Sequence, residues 1–208
     1  MGKAANVSDL LNGQKVVPVV IIENESQAVG LAQALINGGI NVIEVTLRND
    51  YGMKAIELIK QRYPDMLVLA GTVNTSAQMV AVIEAGADGI VSPGITTKLL
   101  ETAQQQAIPY LPGVSSASDV LLAMEYGLTE CKLFPATVVG GMSALKAFKS
   151  PFSTIQFCPT GGVNEQNFKE FLALPNVMCV GGSWVSPTDL IESENWSEIT
   201  RLCENAVA

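Results

Sequence analysis

Brief apolar runs alternate with longer stretches whose apolar residues recur at three and four, and this alternation constrains the chain more than any other feature. Eight runs stand in order: KVVPVVII, NVIEVTL, MLVLAGTV, GIVSPG, IPYLPGV, ECKLFPA, TIQFCPTGG and VMCVGGSW. Between them lie stretches such as SQAVGLAQALINGG, MKAIELIKQRYP, SAQMVAVIEAGA and SDVLLAMEYGL, which often stop at Gly or before Pro as helices do. Runs that are apolar on both faces suit parallel strands covered by crossover helices, so the alternation predicts repeated βα units. Eight such units predict an α/β fold of one closed (β/α)8 TIM barrel, preceded by a short N-terminal helix at VSDLLNG. The 208 residues leave about 26 for each unit, so insertions have little room. A doubly wound open sheet is the alternative, but no G-x-G-x-x-G turn follows the first run. No linker, charge block or low-complexity segment interrupts residues 1–208, which are read as a single domain.

Composition removes several kinds of function. Histidine is absent, which excludes Ser-His-Asp and Cys-His catalysis, imidazole acid/base chemistry and His-ligated metal sites. Any catalysis falls to Lys, carboxylates, hydroxyls or backbone, and no metal is expected. With 12 basic against 20 acidic residues and a net charge of -8, the phosphate-neutralising excess that nucleic acid requires is missing. Cysteines at 131, 158, 179 and 203 are too scattered for a zinc site and too few for a disulfide scaffold, which suggests a reducing, cytoplasmic setting. No apolar run approaches a membrane span, and MGKAANVSDLL lacks the apolar core of a secretory signal, so a soluble protein is expected.

In a barrel of this type the chemistry sits where strands end and βα loops begin, so polar residues there carry the most weight. Lys132 lies within ECKLFPA, where an ammonium loses water on at least one side and must be paired or neutralised. Free lysine, with a pKa of about 10.4, is uncharged in only about one molecule in 2,500 at pH 7, and burial is one device that raises that fraction. A neutral amine inside a barrel attacks a carbonyl, and the resulting iminium is an electron sink for breaking a nearby bond. The plainer role for Lys132 is an ion pair, with Glu44 as the obvious partner. The two roles are compatible, because one carboxylate can hold the resting lysine and later move protons. Period two puts Glu44, Thr46 and Arg48 on one face of the second run. Arg48 can grip a carboxylate with two hydrogen bonds or form a structural pair at the rim.

Glycine pairs close the last two runs, in CPTGGVN and CVGGSW. Glycines let backbone N–H groups close on an anion, and the loops after strands seven and eight are the usual phosphate seat of this fold. Gly161, Gly162, Gly182 and Ser183 are the candidates for a phosphorylated ligand, with tight turn geometry as the plainer explanation. Thr72 at the end of the third run offers a hydroxyl to a carboxylate, while Pro93 and Phe134 offer apolar walls. The cysteines on strands six, seven and eight read as core fillers.

Taken in order over nearly the whole chain, VVPV, GGINVIEVTLR, AGTV, SPG, PGVSS, CKLFPA, FCPTGGV and GGSW resemble the 2-keto-3-deoxy-6-phosphogluconate (KDPG) aldolases, also known as 4-hydroxy-2-oxoglutarate (KHG) aldolases. The resemblance implies a metal-free class I aldolase without a cofactor, commonly a homotrimer, that cleaves the phosphorylated keto-acid to pyruvate and glyceraldehyde 3-phosphate. By motif, Lys132 is similar to the Schiff-base lysine and Glu44 to the general acid/base. Arg48 and Thr72 are similar to the pyruvate-carboxylate contacts, and Thr160, Gly161 and Gly162 with Gly182 and Ser183 to the phosphate site. The lysine segment of this family often carries two aromatic residues and an acidic residue after the alanine, where this chain has Leu133 and Thr137. An aldolase for the galactonate epimer, one favouring the unphosphorylated keto-acid, and a non-catalytic phospho-ligand-binding barrel are the alternatives.

Overall fold

A computed structural model describes residues 6–208; the first five residues, part of the MGKAANVSDLL segment, lie outside the described residues. The chain opens with helix α1 (Val7–Leu11), strand β1 (Val16–Val20) and helix α2 (Glu25–Asn37), followed by β2 (Val42–Thr46) and α3 (Gly52–Arg62). It continues through β3 (Leu67–Gly71), α4 (Ser76–Glu84), β4 (Gly89–Val91), α5 (Thr97–Gln106), β5 (Tyr110–Leu111), β6 (Gly113–Val114) and α6 (Ala117–Glu125). Last come β7 (Glu130–Leu133), α7 (Gly141–Phe148), β8 (Gln156–Pro159), α8 (Phe168–Leu172), β9 (Val180–Gly182), α9 (Thr188–Glu192) and α10 (Trp196–Val207).

Every apolar run of the sequence contains a strand, and every pairing is parallel. The strands form a six-stranded ladder, β5-β4-β3-β2-β1-β9, and a three-stranded ladder, β6-β7-β8. The fifth run supplies two short strands because Pro112 has no N–H to give to a ladder. Between β8 and β9 the contact is a bridge at Thr160 and Gly181, with a second bridge from Phe157 to Val177. The fold is therefore α/β, with parallel strands in curved sheets and helices outside.

Burial explains why these segments become strands and helices. All five residues of β2 are buried, since α3 packs on one face and the interior covers the other. In α2, Ala28, Leu31, Ala32 and Leu35 recur at helical spacing and are fully enclosed. Asn24 starts that helix by accepting from the Gln27 N–H at 2.9 Å. Gly38 ends it where α10 crosses, and a Cβ there would lie 2.8 Å from the Thr200 carbonyl oxygen. Helix α1 packs Val7 and Leu11 inward, and the Ser8 N–H and hydroxyl donate to the buried Glu130 carboxylate at the start of β7. Among the described residues no helix is long and apolar enough to cross a membrane.

Candidate active site

Lys132 sits on β7 with only 4% of its surface exposed. Its Nζ donates to Glu44 Oε1 at 2.8 Å and Oε2 at 3.0 Å. Glu44 is equally buried, so both charges have left water, and the desolvation is offset by a doubly hydrogen-bonded contact. The Phe134 ring adds a face to the cation, with its centroid 5.4 Å from Nζ. These are the two residues that the sequence pairs by type alone, 88 positions apart.

Neighbouring backbone fixes where each group points. Glu44 lies opposite Leu69 of β3 and Val19 of β1 in the ladder. Its side chain crosses the place where Gly71 would carry a Cβ, which would stand 2.7 Å from Glu44 Cγ. A glycine inside a strand pattern signals such a close approach, and Gly71 in AGTV is a signal that the sequence reading left unused. Lys132 is held from below by its N–H donating to the Pro112 carbonyl at 2.8 Å, and it pairs with Gly113 on one side and Cys158 on the other.

The remaining candidates lie just past the C-terminal ends of the strands, at the end toward which the Lys132 segment runs. Arg48 follows β2 and is exposed, and among the described residues it joins no ion pair, so the rim salt bridge does not form. Thr46, on the same strand face by period, is fully buried, and its hydroxyl donates to the Val20 carbonyl at 2.9 Å; it ties β2 to β1. Thr72 follows β3 at φ 58, a conformation that costs a β-branched residue about 1–3 kcal/mol. Pro93 is exposed after β4, and Phe134 is half-buried after β7.

The two glycine loops lie side by side because the Thr160–Gly181 bridge joins them. Gly161 and Gly162 hold φ 97 and 79, which a residue with a side chain rarely adopts. Among the described residues the N–H groups of Gly162 and Ser183 have no protein acceptor. Thr160 is buried against Cys158, its Oγ1 3.7 Å from that sulfur, while Gly182 is buried and Ser183 exposed. Among the described residues no group of three or more Cys, Asp or Glu is gathered as a metal site. The chemistry on offer is therefore a desolvated amine, a carboxylate that can take or give its proton, an unpaired guanidinium at the rim and backbone donors suited to an anion.

Comparison with known proteins identifies the family of the chain as a whole. The family model described as KDPG and KHG aldolase matches residues 7–202. The 2-dehydro-3-deoxy-phosphogluconate aldolase of Dickeya dadantii is 46% identical over 203 residues, covering 98% of this chain and 95% of the relative. The KHG/KDPG aldolase of Escherichia coli K12 is 44% identical, covering 97% of this chain and 95% of the relative. Among solved structures, the KDPG aldolase of Legionella pneumophila, with pyruvate captured at low pH as a covalent carbinolamine intermediate, superposes with a TM-score of 0.94. That structure is 44% identical, with 96% of this chain and 97% of the other covered. With the match spanning nearly all its length, the chain belongs to the KDPG and KHG aldolase family.

Proposed function

We propose that this protein is a class I aldolase, a carbon-carbon lyase that cleaves KDPG to pyruvate and glyceraldehyde 3-phosphate and also accepts 4-hydroxy-2-oxoglutarate. The observation that carries the reading is the buried Lys132 Nζ, held 2.8 and 3.0 Å from the two oxygens of one carboxylate. Glu44 takes the ammonium proton, which frees the amine to attack the ketone beside the substrate carboxylate. The same proton then leaves with the ketone oxygen as water, and an iminium remains. Glu44, again a carboxylate, accepts the proton of the distal hydroxyl, directly or through a water. The carbon-carbon bond breaks, and its electron pair enters the iminium to give an enamine. Aldehyde departs first. Protonation and hydrolysis of the enamine release pyruvate and restore Lys132.

Around that pair, Arg48 and Thr72 bind the substrate carboxylate, and Pro93 and Phe134 wall the keto-acid. Thr160, Gly161, Gly162, Gly182 and Ser183 receive the phosphate, a role supported by the positive φ of the glycines and the free N–H groups. No cofactor or metal is needed, since the lysine itself supplies the electron sink. The covalent pyruvate adduct of the Legionella relative supports that assignment. The two ladders belong to one closed (β/α)8 ring. The continuation of β5 into β6 across Pro112 and the Thr160–Gly181 bridge support closure. The chain acts as one domain, in a homotrimer, in the cytoplasm, where its four unpaired thiols suit a reducing setting.

Borohydride reduction in the presence of pyruvate tests the reading. The expected result is a mass increase confined to the Lys132 peptide and absent from Lys132→Ala. No adduct would leave a barrel that only binds phosphorylated ligands. Specificity constants for KDPG, its galactonate epimer and the unphosphorylated keto-acid then rank the substrates.

A further inference from the structure

Behind the Pro93 turn lies a chain of hydroxyls that the mechanism above leaves unused. Ser92 Oγ donates to the Gly94 carbonyl at 2.5 Å and stands 2.7 Å from the Tyr110 hydroxyl. Both side chains are buried. Each hydroxyl has one proton, and Ser92 commits its own to a carbonyl that has none to return. The phenol is therefore the donor to Ser92, and the order runs from Tyr110 through Ser92 to Gly94. Burial pushes the Tyr110 phenol up to about 12, which keeps that proton in place at any pH used for assay.

The other flank of the same turn rests on β6. A Cβ on Gly113 would stand 2.7 Å from the Gly94 nitrogen and nearer still to the Pro93 carbonyl group, so the turn lies directly on that strand. Gly113 is in turn the ladder partner of Lys132. Pro93 is thus clamped between the hydroxyl chain behind it and the backbone beside the lysine.

We propose that Tyr110, acting through Ser92, is a positioning residue that sets the distance of the Pro93 wall from Lys132. The inference rests on the aldolase reading above. Tyr110 touches no substrate atom in this scheme. Without its hydroxyl the Ser92–Gly94 turn gains freedom, the wall loosens, and the ketone spends less time in line with the amine.

A double-mutant cycle tests this with Tyr110→Phe, Ser92→Ala and the pair together. Steady-state kcat and KM for KDPG cleavage are normalised to the Lys132 that pyruvate and borohydride trap at completion, so that unfolded protein drops out. Tyr110→Phe is expected to lower kcat/KM by about 3- to 10-fold, mainly through kcat, the range of one lost neutral hydrogen bond. Ser92→Ala should lose at least as much, and the double variant should match Ser92→Ala because the phenol acts only through that serine. A kcat/KM for Tyr110→Phe within about twofold of the parent overturns the proposal whatever happens to thermal stability, and so do additive losses in the double variant. A parent without a pyruvate adduct removes the aldolase reading itself. A parent that forms the adduct while its variants keep full kcat/KM removes only the role of Tyr110.

Discussion

Replacing Gly71 by alanine is expected to disable the site by pressing a methyl against the Glu44 side chain, its carboxylate Oε1 included. Gly71 does not have a positive φ, so alanine meets no backbone strain there, and the whole effect comes from the added methyl. That methyl would lie 2.7 Å from Glu44 Cγ and 3.0 Å from Cδ. Carbon atoms in proteins rest about 3.5–4.0 Å apart, so the carboxylate must retreat by about 1 Å. Contacts to Lys132 of 2.8 and 3.0 Å then pass the limit of a hydrogen bond. Loss of a charge-assisted bond is worth about 1.5–3 kcal/mol, and misplacing a reacting group by about 1 Å costs about 10²-fold in rate. Gly71→Ala is therefore expected to lower kcat/KM by about 10²-fold, or about 2.7 kcal/mol of transition-state stabilisation. Urea unfolding should show a stability loss of about 2–4 kcal/mol from crowding and the weakened buried pair. Steady-state cleavage of KDPG by the purified variant measures the first quantity. Retention of kcat/KM within about threefold would refute the claim that the placement of Glu44 limits the reaction.

Glu44→Gln keeps the shape but cannot carry the proton, so kcat should fall by about 10²- to 10⁴-fold while KM changes little; a loss confined to KM would contradict the acid/base role. All four thiols are buried, and burial pushes Cys131 and Cys203 up to about 12. Alkylation at pH 8 should therefore leave the native protein unmodified by mass spectrometry and label all four cysteines once urea is added. Asp119 caps α6 by accepting from the Ser115 N–H at 2.8 Å, the Ser115 hydroxyl at 3.1 Å and the Ser116 N–H at 2.9 Å. Burial alone would raise its carboxyl, but these bonds outweigh burial and hold it below the ordinary 3.8. A carboxyl depressed in the folded state contributes stability above its unfolded value and loses it as pH falls through the folded one. Asp119→Ala should accordingly lower the urea midpoint at pH 7, with the gap to the parent narrowing below about pH 3.8; an unchanged gap at pH 3 would contradict the assignment.

The strands were legible because parallel strands buried on both faces leave unbroken apolar runs, and Lys132 and Glu44 were legible because a charge inside such a run needs a reason. Thr46 shares a face with Glu44 by period, yet it serves the β1–β2 contact, since which neighbour a hydroxyl meets depends on register with a distant strand. The steric role of Gly71 is hidden for the same reason: it becomes visible only when β2 and β3 lie side by side. The role of Tyr110 is hidden in the sequence because nothing local says that its hydroxyl reaches Ser92, just past the neighbouring strand β4. Helices α8 and α9 have five residues each, too few for a 3.6-residue period to register. In sequence the fifth run reads as one strand, whereas Pro112 splits it in two through the N–H that it lacks.

The contact between Lys132 and Glu44 also joins the two ladders, since β7 belongs to one and β2 to the other. In the proposed mechanism, the residue that lets go of its partner in every turnover is thus a cross-brace of the architecture. On that mechanism each cycle unfastens the brace and refastens it, so tightening that joint for the sake of a sturdier fold would slow the chemistry.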